Sequence, residues 1–487
     1  MDRTSLTVAI TLFVCLRVST NGEQCPYKEC TCTGANVACE DLDLSTVPPL
    51  LSTNLSGPFV LVFENTQITT IEAGSLPPHL MNLELSNNPI TTIDNSAFIE
   101  SAATLQTMTF SSVAFSRIPD ALLQITNLAS LAVLDSTITD WNDNVMKHLG
   151  TTLLVLELDN INLKTWPEWI HYLVHLTDLK VVNNFINDIP NDAFDTIASS
   201  LNSLALYNNY LVSIPEAFKS LSSLQMLYLN DNQITDVRNL AQIQGPLFSL
   251  TLSNNKISAA NILSQSLRPF ELTLFGIEIN HNELTAIPDL SFLEGITNLD
   301  LSYNNIFSAS QLSLPPTLTS LDLDSNNLRS LPYNMSSLSH VTNLILNTNF
   351  ITEINGIDFP PQVISIILAY NLITEITDTS FPDNSNIEEL NINDNPLSKI
   401  SPLAFKNLPH LNLLQMRNTK LTRLPISLAL ATNLDNFDIS GTFGLVCTCE
   451  EKSLGSVIGT MNSDNVKGDC GLTSVYDFFV TLSHFCP

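Results

Sequence analysis

The chain has 487 residues, 48 Asp and Glu against 19 Lys and Arg, and a formal net charge of −29. Such an excess argues against nucleic acid and against anionic lipid, both of which need clustered cations; it leaves cationic partners, divalent ions or plain solvation of a large surface. At 44% hydrophobic and 14% charged, the composition supplies a core, yet no window beyond the N-terminus is apolar enough to cross a bilayer.

The chain opens with an apolar stretch from Leu6 to Leu16, then Arg17 and small or polar residues. The stretch is too short to span a membrane and reads as a signal peptide, residues 1–22, cleaved near Thr20 to Glu23. Nine cysteines follow a simple plan: Cys15 falls in the leader, and the other eight divide four and four between the ends. Cys25, Cys30, Cys32 and Cys39 mark an N-terminal cap over 23–55; Cys447, Cys449, Cys470 and Cys486 mark a C-terminal cap over 445–487. The 407 residues between Cys39 and Cys447 contain none. An even set clustered at both ends of a secreted chain reads as two disulfide staples, and no His stands near the first four to favour zinc.

Length alone allows about three ordinary domains, but residues 56–444 repeat. Leu80-Met-Asn-Leu83-Glu-Leu85-Ser-Asn-Asn88-Pro-Ile90 returns as Leu201-Asn-Ser-Leu204-Ala-Leu206-Tyr-Asn-Asn209-Tyr-Leu211 and as Leu318-Thr-Ser-Leu321-Asp-Leu323-Asp-Ser-Asn326-Asn-Leu328. The frame L-x-x-L-x-L-x-x-N-x-[IL] occurs 17 times, anchored at Thr66, Asn88, Val113, Ser136, Ile161, Asn184, Asn209, Asn232, Asn255, Asn282, Asn304, Asn326, Asn349, Asn371, Asn395, Thr419 and Thr442. Spacings run from 22 to 27 residues with a mean of 23.5.

Alternation around L-x-L predicts a short strand with one buried face, which becomes stable only when copies stack into a parallel sheet. The Asn amide is placed to satisfy backbone groups of the turning corner. Val113 and Ile161 have no such amide, so their corners are predicted to turn differently, and the N-terminal third to be the least regular. On the outer side, Ile189-Pro190-Asn-Asp-Ala193-Phe194 and Ile214-Pro215-Glu-Ala217-Phe218 predict a fixed turn followed by a Phe that fills the core under a short helix. Packed strands inside and bulkier segments outside predict an α/β solenoid curved like a horseshoe, with the sheet on its concave face.

These features resemble the extracellular leucine-rich repeat family with cysteine-rich caps, which includes Slit proteins, small leucine-rich proteoglycans and Toll-type receptor ectodomains. The resemblance covers essentially all of the mature chain. It implies the pairs Cys25 with Cys32, Cys30 with Cys39, Cys447 with Cys470 and Cys449 with Cys486; sequence alone allows three connectivities for each four. The family's Pro-Trp pair before the first C-terminal cap cysteine is replaced here by Leu445-Val446.

The outward strand residues are the x positions of the frame. From the repeat of Asn88 to that of Thr442, fifteen of eighty are Asp or Glu, and only Lys180 and Arg417 are basic. Glu278, Asp300, Asp322 and Asp324 fall on three successive strands: a docking site for a basic partner or cation, or a solvated acidic stripe. Tyr207, Tyr228 and Phe248, with Phe275 and Tyr303 further along, suit a protein or sugar interface, or fill gaps along the ladder. Two glycosylation sequons occur, at Asn54 and Asn334. His171 and His175 have the i, i+4 spacing of a metal pair but no third ligand, and the adjacent Trp166 and Trp169 read as packing. Hydrolase, phosphate-loop and dinucleotide motifs are missing, and no cofactor is implied. The sequence thus predicts a non-enzymatic secreted recognition protein for an extracellular protein or glycan, with no transmembrane segment and an undetermined oligomeric state. A matrix or cell-wall protein, and the soluble ectodomain or co-receptor of a signalling receptor, are the alternatives.

Overall fold

The computed structural model describes residues 25–52, 55, 57–307 and 312–482. The leader, Asn54 and Cys486 lie outside the described residues. The chain forms two compact units, 1–161 and 162–487.

The first unit begins with a hairpin, Thr31–Thr33 against Asn36–Glu40, whose turn uses Gly34 at φ 61°. Disulfides Cys25–Cys32 and Cys30–Cys39 brace it. The hairpin's second strand pairs in parallel with Phe59–Glu64, and the ladder continues through Leu80–Ser86, Thr107–Ser111, Ser130–Leu134 and Val155–Asp159. Register stacks Leu61, Leu83, Met108, Leu131 and Leu156 in one inward column, all essentially inaccessible. Each such side chain contributes roughly 1.5–3 kcal/mol on leaving water, and each needs the coil on either side to do so. Tyr27 seals the end of the stack: its ring lies 5.9 Å from that of Phe63 and its hydroxyl donates to the Ser75 carbonyl at 2.8 Å. Burial pushes the Tyr27 phenol far above its ordinary pKa.

This unit bears on two expectations. Its strands run five to seven residues, against three in most repeats of the second unit, with one register shift, between Phe59 and Val60. Regular strands therefore survive an irregular consensus, because the inward apolar residues are intact. The corner at Val113 keeps the common turn, whereas the corner at Ile161 departs from it as expected. Ser112 and Asn160, which precede them, take φ 51° each, like their counterparts elsewhere. The Ser136 hydroxyl accepts from the Val113 amide at 3.1 Å, and the Asn160 side chain donates to Asp135 at 2.6 Å. Asn162, just beyond Ile161, adds a second left-handed residue at φ 63°.

In the second unit the parallel strands shorten. Asp178–Val182, Ser203–Ala205, Met226–Tyr228, Ser249–Thr251 and Gly276–Glu278 form one run; Asn298–Asp300, Ser320–Asp322, Asn343–Ile345, Ser365–Ile367, Glu389–Asn391, Leu413–Gln415, Asn436–Asp438 and Val466–Lys467 form another. Between the runs the coils stay bonded, His281 N to Ser302 O at 2.9 Å and Asn282 N to Tyr303 O at 3.1 Å.

The Asn amides do most of the corner's hydrogen bonding. Asn326 donates through Nδ2 to Leu323 O of its own coil and to Leu301 O of the coil before, at 3.2 and 3.0 Å. Its Oδ1 accepts from Ile306 N, also in the coil before, at 3.0 Å. The same set recurs at every Asn from Asn209 to Asn395. At the last corner, Thr442 offers Thr419 only a hydroxyl, which accepts from the Thr419 amide at 3.3 Å.

On the outer side, length variation is absorbed by the segment after the corner. The widest spacing, from Asn255 to Asn282, holds the helix Ala260–Leu267, while most other coils make a single 3-10 turn such as Glu216–Ser220. Pro215 opens that turn at φ −60°. Phe194 and Phe218 are fully buried beneath these segments; their rings lie 5.7 Å apart, and Trp166 continues the row at 5.2 Å from Phe194. Trp169 is buried as well.

The C-terminal end is closed by Val466–Lys467 along the last repeat strand and by the Cys447–Cys470 disulfide. Cys449 is also disulfide-bonded. Where the family carries Pro-Trp, Leu445 fills the core and Val446 points to solvent. Glu451 is 2% exposed, yet its carboxylate is met on both sides, by the Thr448 amide and hydroxyl at 2.8 Å and by the Arg423 guanidinium. Replacing Asn326 with Ala removes the donor shared by the Leu301, Leu323 and Asp324 carbonyls and the acceptor of the Ile306 amide; chemical denaturation should show a loss of about 2–3 kcal/mol, against less than about 0.5 kcal/mol for the exposed neighbour Asn305→Ala.

Candidate functional site

Because neighbouring strands pair without slippage, the outward residues of the second unit also fall into columns. One column runs Lys180, Ala205, Tyr228, Thr251, Glu278, and, in the second run, Asp300, Asp322, Ile345, Ile367, Asn391, Gln415, Asp438. Asp300 and Asp322 are thus direct cross-strand neighbours, and Asp324 lies two residues further along the same face. Like charges held side by side have to be accommodated. Asp300 Oδ1 accepts from the Ser302 amide at 2.9 Å and Asp322 Oδ1 from the Asp324 amide at 2.8 Å. Asp324 Oδ2 accepts from the Ser325 hydroxyl at 3.1 Å, while its Oδ1 is enclosed without a hydrogen-bond partner. Burial first, then the repulsion of Asp300 and Asp324, pushes Asp322 up to about 6, against the lowering pull of the Asp324 amide. Glu278 is exposed in the column of the first run.

The aromatic residues divide differently from the grouping read in the sequence. Tyr207, Tyr228 and Phe248 occupy three different outward columns. Tyr228 is half-buried, donating to Met226 Sδ at 3.4 Å, and its phenol is raised by burial and then by Glu278 and Asp178. Tyr207 is partly buried. Phe248 pairs instead with Phe275, ring centroids 6.3 Å apart. Phe275 is 62% exposed, its ring lying across Gly295, where an added Cβ would stand 2.5 Å from it.

A regularity invisible to the repeat consensus governs the far edge of the face. The residue before each corner Asn has positive φ, between 47° and 56° at all sixteen non-glycine instances from Asn65 to Asn418, and Gly441 completes the column at 75°. Asn, Asp and Ser fill most of it, as the left-handed region favours. Asn208 and Asn254 donate to the preceding members Asn183 and Asp231 at 2.6 and 2.9 Å. His281, Tyr303 and Tyr370 break the rule, with bulky rings at φ 51°, 53° and 55°. His281 and Tyr303 stack at 4.1 Å with an interplanar angle of 11°, and Tyr303 remains 51% exposed. The sequence signal for these residues is a ring where the column otherwise carries a short polar side chain.

Elsewhere, His171 and His175 are both exposed, and His171 bonds the Glu168 carbonyl. Among the described residues no group of three or more His, Cys, Asp or Glu is arranged for a metal ion, and no helix is long and apolar enough to cross a membrane. Asn334 is exposed at φ 71° ahead of the turn Met335–Ser337.

A carboxyl with a raised folded pKa binds its proton more tightly in the native state, so stability falls as pH rises from about 4 to about 6 and stays lost above. Asp322→Asn keeps the acceptor for the Asp324 amide and removes the charge. It should stabilise the protein by about 1 kcal/mol at pH 7, after allowance for solvent screening, and by nothing below about pH 4, as read by thermal melts across that range.

Comparison with known proteins accords with this geometry. A leucine-rich repeat family model matches residues 174–234 and 361–442, and a BspA-type leucine-rich repeat model matches 61–166. A leucine-rich repeat protein of Leptospira interrogans superposes with a TM-score of 0.63 at 23% identity, over 80% of this chain and 95% of its own. The TLR13–ssRNA13 complex gives 0.63 at 20% identity, over 84% and 71%. The Drosophila Toll–Spatzle complex gives 0.58 at 18%, over 85% and 59%. At these identities the likeness shows the fold. With two repeat models, the Asn-bonded coils and disulfide-braced ends in hand, the chain belongs to the leucine-rich repeat family.

Proposed function

We propose that this protein is secreted and recognises an extracellular protein or glycan through the outward face of its strands. The carrying observation is the contrast between the two sides of the same strands. Ile277 and Ile279 on the inner side are buried, whereas Phe275 and Glu278, at the start and end of the same strand segment, are exposed. Such a face offers rigid, regularly spaced side chains over a long surface, which suits binding a large ligand. Its charge repels nucleic acid, fifteen acidic positions against two basic. TLR13 and Toll, whose fold it shares, were both solved in complex with a ligand. Disulfides in both caps suit an oxidising compartment, and the leader directs the chain there. Exposed Asn334, with Ser336 two residues on, is available to a glycan.

The test is capture from the native secretome by the immobilised, disulfide-intact protein, with two variants alongside. Substitution of the face (Phe275→Ser with Glu278→Gln) should abolish saturable capture. Substitution of the exposed outer side (Ile357→Ser with Leu403→Ser) should leave it intact. Equal capture by both variants would remove the strand face as the binding surface.

A further inference from the structure

Some exposed rings of the second unit, such as Phe185 and Tyr210, stand elsewhere along it, but one group brackets the strand face over a few successive coils. Phe275 and its neighbour Phe248 stand where the strands enter, and stacked His281 and Tyr303 stand where they leave. Phe307, 61% exposed, lies just beyond Tyr303. Six residues separate Phe275 from His281, roughly 20 Å along an extended strand. Between the two aromatic ends the central column carries Glu278, Asp300 and Asp322, with Asp324 two residues further along and no Lys or Arg at the outward positions of these three coils.

We infer that this aromatic bracket is a docking surface for an extended segment of a partner protein, with apolar side chains at its ends and Arg or Lys in the middle. The inference rests on the recognition function proposed above and names its ligand. Charge complementarity selects the occupant. A basic side chain laid across the centre meets carboxylates, and one reaching the His281–Tyr303 edge also meets the face of a tyrosine ring. An acidic or neutral segment would leave the carboxylates unanswered. The corner column accepts Asn, Asp or Ser at lower backbone cost, yet His281 and Tyr303 occupy it here.

The probe is a short labelled peptide with two central arginines and a leucine at each end, titrated by fluorescence anisotropy into the full-length, disulfide-intact protein at physiological salt. Wild type should bind saturably with one site, and the peptide with glutamates for arginines should not bind. Tyr303→Asn and Phe275→Ser should each weaken binding about tenfold, while Phe443→Ser, an exposed ring beside the last corner Thr442, should leave it unchanged. Tyr303→Asn installs the residue the corner ordinarily carries, so its melting temperature should equal or exceed that of wild type, which separates lost binding from misfolding. Binding that is equally tight in Tyr303→Asn and Phe275→Ser would mean attraction to net charge alone and would overturn the inference. So would capture of a neutral oligosaccharide by the same residues, although the recognition function would then stand. Failure of both the peptide and the secretome capture would remove that function as well.

Discussion

One side-chain amide holds successive coils in step. Each corner Asn is buried, and it answers a carbonyl of its own coil, a carbonyl of the coil before and an amide of the coil before. Those backbone groups sit where the chain leaves the sheet, out of reach of the ladder and shielded from water. Left unmet, each would cost about 1–3 kcal/mol. The Asn can reach them because the residue ahead of it turns through the left-handed region, so the αL residue and the Asn are two halves of one device. Short strands of three residues suffice in the second unit because the corner adds bonds that the strand lacks.

The hydrophobic part of the design is simpler. Inward residues of each strand lie over those of the next, and the outer segments lay Phe194, Phe218 and Trp166 across the open side. Extra residues loop outward, as the helix Ala260–Leu267 shows, so the register of the face survives changes in repeat length. The same logic requires closed ends. Tyr27 with two disulfides serves one end, and Leu445, buried Glu451 and the Cys447–Cys470 bridge serve the other.

Much of this is legible in residue order because period, polarity and cysteine placement are local properties. The strands, the structural role of Asn and the buried Phe of the outer turns follow from them. The misreadings have a common origin. Val113 keeps the common corner without an Asn because the αL residue before it shares in making the turn, whereas Ile161 departs from it through Asn162. Tyr207, Tyr228 and Phe248 read as neighbours because they fall in successive repeats, but position within the repeat decides the column, and theirs differ. The stacking of His281 on Tyr303 escaped for the complementary reason: the two rings share a column whose conformational demand no consensus letter records. Asp300, Asp322 and Asp324 were legible as a group, but the direct cross-strand pairing of Asp300 with Asp322 needed coordinates.

A binding face of this kind is only as precise as the stacking beneath it. If the Asn bridges set that precision, the amides of Leu211, Ile234, Ile257, Leu284, Ile306, Leu328, Ile351 and Ile373, which lie outside every strand yet donate to the Asn of the following coil, are part of the native core. Residue-resolved hydrogen exchange on the intact protein decides the matter. Protection of these corner amides comparable to that of strand amides such as Leu227 and Leu321 is the predicted result. Exchange at the rate of open loops, with the strands still protected, would contradict it.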